Sequence, residues 1–202
     1  MTNRHPREGG GPASLNDQRD SRFGGNDELG KPMIGEGCRA EPFGEQYRDA
    51  LRAACEEDLD IWKIYSLNFG PPDFDRNIDW FSGKANNRTF VLFEGDELAG
   101  MSSFIAIDEA RQCLEIGATY YRPHLRGSGF NRRIKNMMLK RAFDSGIRRV
   151  EFRVDVRNER SQGAMKKLGA VREGVLRADR ITWNGHVRDT ALFSILREEW
   201  PV

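Results

Sequence analysis

The order of predicted elements places the 202-residue chain in the α+β class. Strands and helices are mixed along it, antiparallel hairpins stand at both ends of the regular part, and no internal repeat is present. Residues 1–36 are rich in Gly, Asn, Asp and Arg with isolated apolar residues, too few to offset the entropy of ordering. They are expected to be a disordered tail before a single domain over 37–202. The wording RHPREGGGPASLNDQRDSRFGGNDE is similar to translated palindromic repeat elements found between bacterial genes, which makes Met33 a candidate start.

From Gly37 the pattern becomes regular. GCRAEPF reads as a first strand, and GEQYRDALRAACEEDLDIWKIYS as a helix with Tyr47, Leu51, Ala54 and Cys55 at helical spacing. GPPDF is a turn, and DRNIDWFSGKA a short helix stopped by glycine. RTFVLFEGDELAGMSSFIAID gives two strands joined by a tight Gly-Asp turn, and QCLEIGATYY a further strand. A helix beginning near Gly127 carries Phe130, Ile134, Met137, Met138 and Ala142 on one face, the side that packs on a sheet. RRVEFRVDV alternates, with Val150, Phe152, Val154 and Val156 together. NERSQGAMKKLGA is a short helix ending at Gly169, and residues 171–196 form a long hairpin whose Asn184-Gly185 pair suits a type I′ turn.

Composition excludes several function classes. Lys and Arg number 32 against 31 Asp and Glu, so net charge gives no attraction to nucleic acid or membrane. Cys38, Cys55 and Cys113 are odd in number and far apart, which argues against a disulfide framework and a zinc site and fits a reducing cytoplasm. The apolar runs are too short to span a bilayer, and no apolar run follows the basic N-terminus as in a secretory signal. No metal is expected.

One segment carries chemistry. YYRPHLRGSGFNRRIKNMMLKRAF, residues 120–143, holds seven Arg and Lys and no acid, with Gly127 and Gly129 at the start of its helix. A first helical turn has free N–H groups and the positive end of the helix dipole, and glycines let a ligand approach the backbone. With Arg126, Arg132, Arg133 and Lys135 around it, this end reads as an anion site suited to a pyrophosphate, each charged contact contributing roughly 1.5–3 kcal/mol. The plainer alternative is a turn followed by a solvated basic face. The G-x-G-x-x-G dinucleotide fingerprint is not matched.

With LEIGATYY before it and VEFRVDVRNERSQGAMKKLGAVREGVL after it, this segment resembles the GNAT superfamily of acyl-CoA-dependent N-acetyltransferases, most closely its ribosomal-protein N-terminal-acetyltransferase-like branch. The resemblance covers residues 37–200 and is strongest from Leu114 to Trp200. It implies a three-layer α/β/α fold. Its sheet would be mixed, mostly antiparallel and twisted, of about seven strands, splayed into a V between the fourth and fifth. The family's pyrophosphate motif, Arg/Gln-x-x-Gly-x-Gly/Ala, reads here Arg126-Gly127-Ser128-Gly129-Phe130-Asn131, with Asn131 in place of a small residue.

By the same resemblance, acetyl-CoA is the co-substrate, Asn158 bonds its pantetheine arm and Ser161 lies near the thioester sulfur. Asn158 also suits a helix N-cap with Ser161 at the third position. Many relatives place a tyrosine as general acid where this chain has Met165, which leaves Ser161 as the candidate donor. Glu115 lies where many relatives carry an acid. An acceptor amine of pKa about 8 to 10 needs a base before it attacks, and a carboxylate supplies one. A surface strand acid is the alternative for Glu115. His124 reads as a surface residue, and Cys113 has no histidine near it in the motif for a covalent route. The implied reaction is acetyl transfer to a primary amine, a protein N-terminus or a small molecule, by direct attack in a ternary complex. The implied partner is that acceptor, with a homodimer allowed. A CoA-binding regulator without turnover is the competing class, favoured by Met165. A nucleic-acid module is disfavoured by the lack of paired strand aromatics.

Overall fold

The computed structural model describes residues 28–201. Its strands are β1 (Met33–Gly35), β2 (Cys38–Pro42), β3 (Arg88–Glu94), β4 (Glu97–Asp108), β5 (Cys113–Tyr121), β6 (Arg149–Asp155), β7 (Val171–Ile181) and β8 (Val187–Leu196). Its helices are α1 (Arg48–Glu56), α2 (Phe74–Ser82), α3 (Phe130–Asp144) and α4 (Glu159–Leu168). The strands form one sheet in the order β1-β2-β3-β4-β5-β6-β8-β7. Every junction is antiparallel except β5–β6, where a parallel pairing requires a crossover, and α3 supplies it.

Alternation along the strands divides the interior into two cores. On β3, Phe90 and Leu92 face one side with Phe130, Ile134, Met138, Leu139 and Ala142 of α3 and Met165 of α4. Val91 and Phe93 face the other, with Leu51, Ala54 and Cys55 of α1, Trp62, and Phe74, Ile78 and Phe81 of α2. These two cores make the three layers that the resemblance implies. Strand β5 switches register at Ala118, a non-glycine residue at φ +47 where pairing with β4 is irregular. Ile116 therefore faces the α3 core, while Tyr120 faces the α1/α2 core.

The structure corrects three local expectations. The tail drawn to residue 36 ends too late. Leu29 is fully buried, Met33 pairs with Ala40, and Arg141 donates to the carbonyls of Glu28 (2.5 Å) and Pro32 (2.9 Å). These residues raise the sheet to eight strands. Residues 1–27, the rest of the expected tail, lie outside the described residues. The first helix stops at Glu56 and gives way to a 3-10 turn over Asp60–Ile64, which buries Trp62 with its indole N–H on the Cys55 carbonyl at 3.0 Å. The β7–β8 hairpin closes by a three-residue loop. Gly185 N donates to Thr182 O, Thr182 N donates to His186 O, and Gly185 rather than Asn184 takes positive φ, +82. That is a type I turn followed by a left-handed glycine, not a type I′ turn.

Candidate active site

The sheet opens where its one parallel junction ends. Strands β5 and β6 pair only through Cys113↔Arg149, Leu114↔Val150 and Glu115↔Glu151. Beyond that point β5 stays with β4 up to Tyr121, and β6 stays with β8 up to Asp155. With eight strands among the described residues, the V lies between the fifth and sixth. A cleft of about 990 Å³ fills it, lined by Glu115, Thr119, Arg126, Gly127, Gly129, Asn131, Lys135, Phe152, Asn158, Ser161 and Met165 among others.

The α3 N-terminus forms one end of this cleft. Gly129 is its N-cap, and Gly127 and Gly129 both sit at φ +87, a conformation glycine adopts without strain. A Cβ added at either would meet nothing within 4 Å, so the approach to the backbone is open. Among the described residues, the N–H groups of Gly127, Gly129 and Asn131 donate to no protein acceptor. Free N–H groups at a helix start, open to solvent beside an arginine, fit a pyrophosphate.

The motif residues divide by task. Ser128 holds the turn: its hydroxyl donates to Leu125 O at 2.9 Å and stands 3.3 Å from Phe130 N. Phe130 is fully buried and anchors the helix. Asn131 lines the cleft and accepts from the Tyr121 hydroxyl at 2.8 Å. Arg126 lines it too, with its guanidinium ion-paired to Asp58, bonded to Tyr121 O at 3.2 Å, and one buried nitrogen unpartnered. Of the basic residues expected around this end, Arg132 lines the cleft, but Arg133 is drawn to Glu94 and Lys135 is buried.

At the start of α4, Asn158 is the N-cap, its Oδ1 accepting from Ser161 N at 3.0 Å. Both residues line the cleft, which leaves the Asn158 amide nitrogen and the Ser161 hydroxyl to meet a ligand. Gly169 ends the helix in the left-handed conformation, as expected. Met165 is buried in the same cleft.

The opposite wall is polar. Glu115 has a side chain 15% exposed, and Arg153 Nε stands 3.8 Å from its carboxylate. Burial lifts its pKa above the ordinary carboxylate value, while Arg180, Arg153 and Arg188 oppose that shift. Arg188 is itself buried, donating to Ser66 Oγ (2.8 Å) and Arg153 O (3.0 Å), with Nε 4.0 Å from Asp155 Oδ2 and without a hydrogen bond. Across the opening, the buried Tyr65 hydroxyl donates to Thr119 O and its pKa is pushed up to about 12 by burial. Trp183, at the tip of the β7–β8 hairpin, donates from its indole to Trp62 O at 2.7 Å and ties that hairpin to the α1/α2 side. His124 is half exposed beside Glu97, away from the cleft, and all three cysteines are buried free thiols.

Sequence reasoning counted Lys135 among the cations of the anion site, and it missed Tyr65 and the arginines of β6–β8. Lys135 left a trace: four residues after Asn131 and three before Met138, it occupies a position on the inward stripe of α3. Arg153 left none, because the polar face of an alternating strand ordinarily meets water. Here that face lines the cleft.

Comparison with known proteins agrees with this geometry. Residues 54–170 match the model of the acetyltransferase (GNAT) family. An uncharacterized N-acetyltransferase, p20 of Bacillus licheniformis, is 31% identical over 119 residues, which span 58% of this chain and 66% of that protein. A putative acetyltransferase structure from T. thermophilus is 34% identical, with TM-score 0.77 over 85% of this chain and 92% of the other. A probable GNAT acetyltransferase from Chromobacterium violaceum superposes over 97% of this chain and 99% of its own, at 26% identity and TM-score 0.79. With an open mixed sheet, a glycine-capped α3 and a family match over more than half its length, the chain belongs to the GNAT family of acetyltransferases.

Proposed function

We propose that this protein moves an acetyl group from acetyl-CoA to a primary amine, on a protein N-terminus or a small molecule, by direct attack in a ternary complex. The observation that carries the reading is one cleft with an open, glycine-lined helix N-terminus at one end and a buried carboxylate on the facing wall. When bound, acetyl-CoA supplies an activated acyl carbon and a thiolate leaving group.

The residues divide the work. The N–H groups of Gly127, Gly129 and Asn131, with Arg126, hold the pyrophosphate. The Asn158 amide bonds the pantetheine arm, and Ser161 stands near the sulfur. Glu115 takes the proton from the acceptor amine, since a carboxylate whose pKa is raised by burial is a better base near neutrality. The backbone of β5 beyond Glu115 has no partner strand on its β6 side, so an unpaired N–H there can polarise the acyl oxygen.

Met165 favours one other reading, a CoA-binding regulator without turnover, because a thioether donates no proton. Measuring CoA thiol release over a panel of amines and N-terminal peptides separates the two. Turnover with any acceptor is the expected result, and CoA binding with no release across the panel would refute the transferase reading.

A further inference from the structure

Met165 stands where many relatives carry a tyrosine acid, and the same cleft holds a buried amine on α3. We propose that Lys135 is the proton donor to the leaving sulfur, an inference that rests on the acetyl-transfer reading above. Lys135 projects from α3 into the cleft and is 3% exposed. Its Nζ donates to Thr119 Oγ1 at 2.7 Å and lies 3.4 Å from Ser102 Oγ, and those two hydroxyls are 2.7 Å apart. Among the described residues it makes no ion pair. An ammonium buried on two hydroxyls is costly, and an aliphatic residue would fill the place at lower free energy.

The two faces of the opening are chemically unlike. Lys135 approaches from the α3 side, where Phe152 of β6 and Met165 of α4 pack, the Phe152 ring centre 5.9 Å from Nζ. Glu115 shares the opposite face with Arg153. Among the described residues, the charged group acting on Lys135 is Glu115 on β5, which itself stands 3.8 Å from Arg153 Nε of β6, while the Tyr121 phenol bonds Asn131 one turn earlier on α3. Burial lowers the Lys135 pKa to about 7, and Glu115 opposes that shift. A thiol of pKa about 8.5 is a weaker acid than such an ammonium, so proton transfer to the sulfur runs downhill. Environment has pushed the acid and the base apart from their ordinary values, each toward neutrality.

The step balances. The amine nitrogen forms a bond to the acyl carbon, the C–S bond breaks with its electron pair on sulfur, and the Lys135 proton goes to sulfur to give the thiol. The acceptor, an ammonium near neutral pH, loses one proton to Glu115 before attack and a second after it, both passing on to water, and water reprotonates Lys135.

The test compares wild type, Lys135→Met and Glu115→Gln with two donors, acetyl-CoA and an acetyl thioester of an aryl thiol whose thiolate leaves without a proton. Lys135→Met should lose about 100-fold in turnover with acetyl-CoA but within about twofold with the aryl donor, whereas Glu115→Gln should lose alike with both. A readout free of turnover is the NMR titration of the Lys135 side chain in the ligand-free protein. A midpoint near neutrality that moves on adding CoA supports the assignment. Equal losses of Lys135→Met with both donors, or a Lys135 midpoint in the ordinary lysine range, overturn it while wild-type turnover stands. No turnover by wild type with either donor refutes acetyl transfer itself.

Discussion

Replacing Gly129 by glutamate tests the proposed anion site at the start of α3. Gly129 sits at φ +87, and a Cβ there meets nothing within 4 Å, so the new side chain fits in space and strains only the backbone. That strain costs about 1–2 kcal/mol, or roughly 2–8 °C of melting temperature for a chain of this size. The carboxylate then stands beside the three free N–H groups that would hold a diphosphate. Losing one charge-assisted contact costs about 1.5–3 kcal/mol, which weakens binding by roughly 10- to 150-fold from an affinity in the micromolar range. Gly129→Ala carries the same strain without the charge and separates the two effects. Calorimetric titration of CoA into both variants, each checked by its melting curve, makes the comparison. Adding salt should narrow the gap between them, because the repulsion is screened. A folded glutamate variant that binds CoA as tightly as the alanine variant would refute the phosphate assignment.

Three further outcomes follow from the same geometry. Glu115→Gln should lower turnover by about 10²- to 10⁴-fold and remove the acid-side fall of the pH–rate profile while leaving CoA affinity unchanged; a retained acid-side limb argues against the base role. Lys135→Met should stabilise the fold. The folded pKa of about 7 lies below the ordinary 10.5, so between those values the unfolded chain binds more protons and wild-type stability rises with pH. The gain from removing the buried ammonium, at most about 5 kcal/mol, is therefore largest below pH 7 and shrinks toward pH 10, as melting curves at both ends would reveal. Leu29→Ala should cost roughly 2–5 kcal/mol because Leu29 is fully buried, and an unchanged melting temperature would return that segment to the tail.

Much of this molecule was legible before any coordinates. Two-residue alternation in residues 149–155, the apolar stripe through Phe130, Ile134 and Met138, and glycines at the start and end of helices are local patterns set by backbone periodicity and φ preference. They placed the strands, the helix and its open, glycine-capped start within a few residues. Asn158 showed both the cap geometry and its place in the cleft, because one side chain can serve both.

What the sequence left open depends on contacts between distant residues. Strand β1 forms only because β2 offers it an edge, and the turn after α1 forms around a Trp62 that finds its pocket against Tyr120. Arg126 meets Asp58 across 68 residues, and Tyr65 meets Thr119 across 54. Spacing determined by itself that α3 is amphipathic and basic, because periodicity is a property of neighbours along the chain. Only the tertiary structure decided which of its basic residues turns inward and titrates near neutrality, because proton affinity follows from burial, which lowers it, and from Glu115 on β5, which opposes that shift.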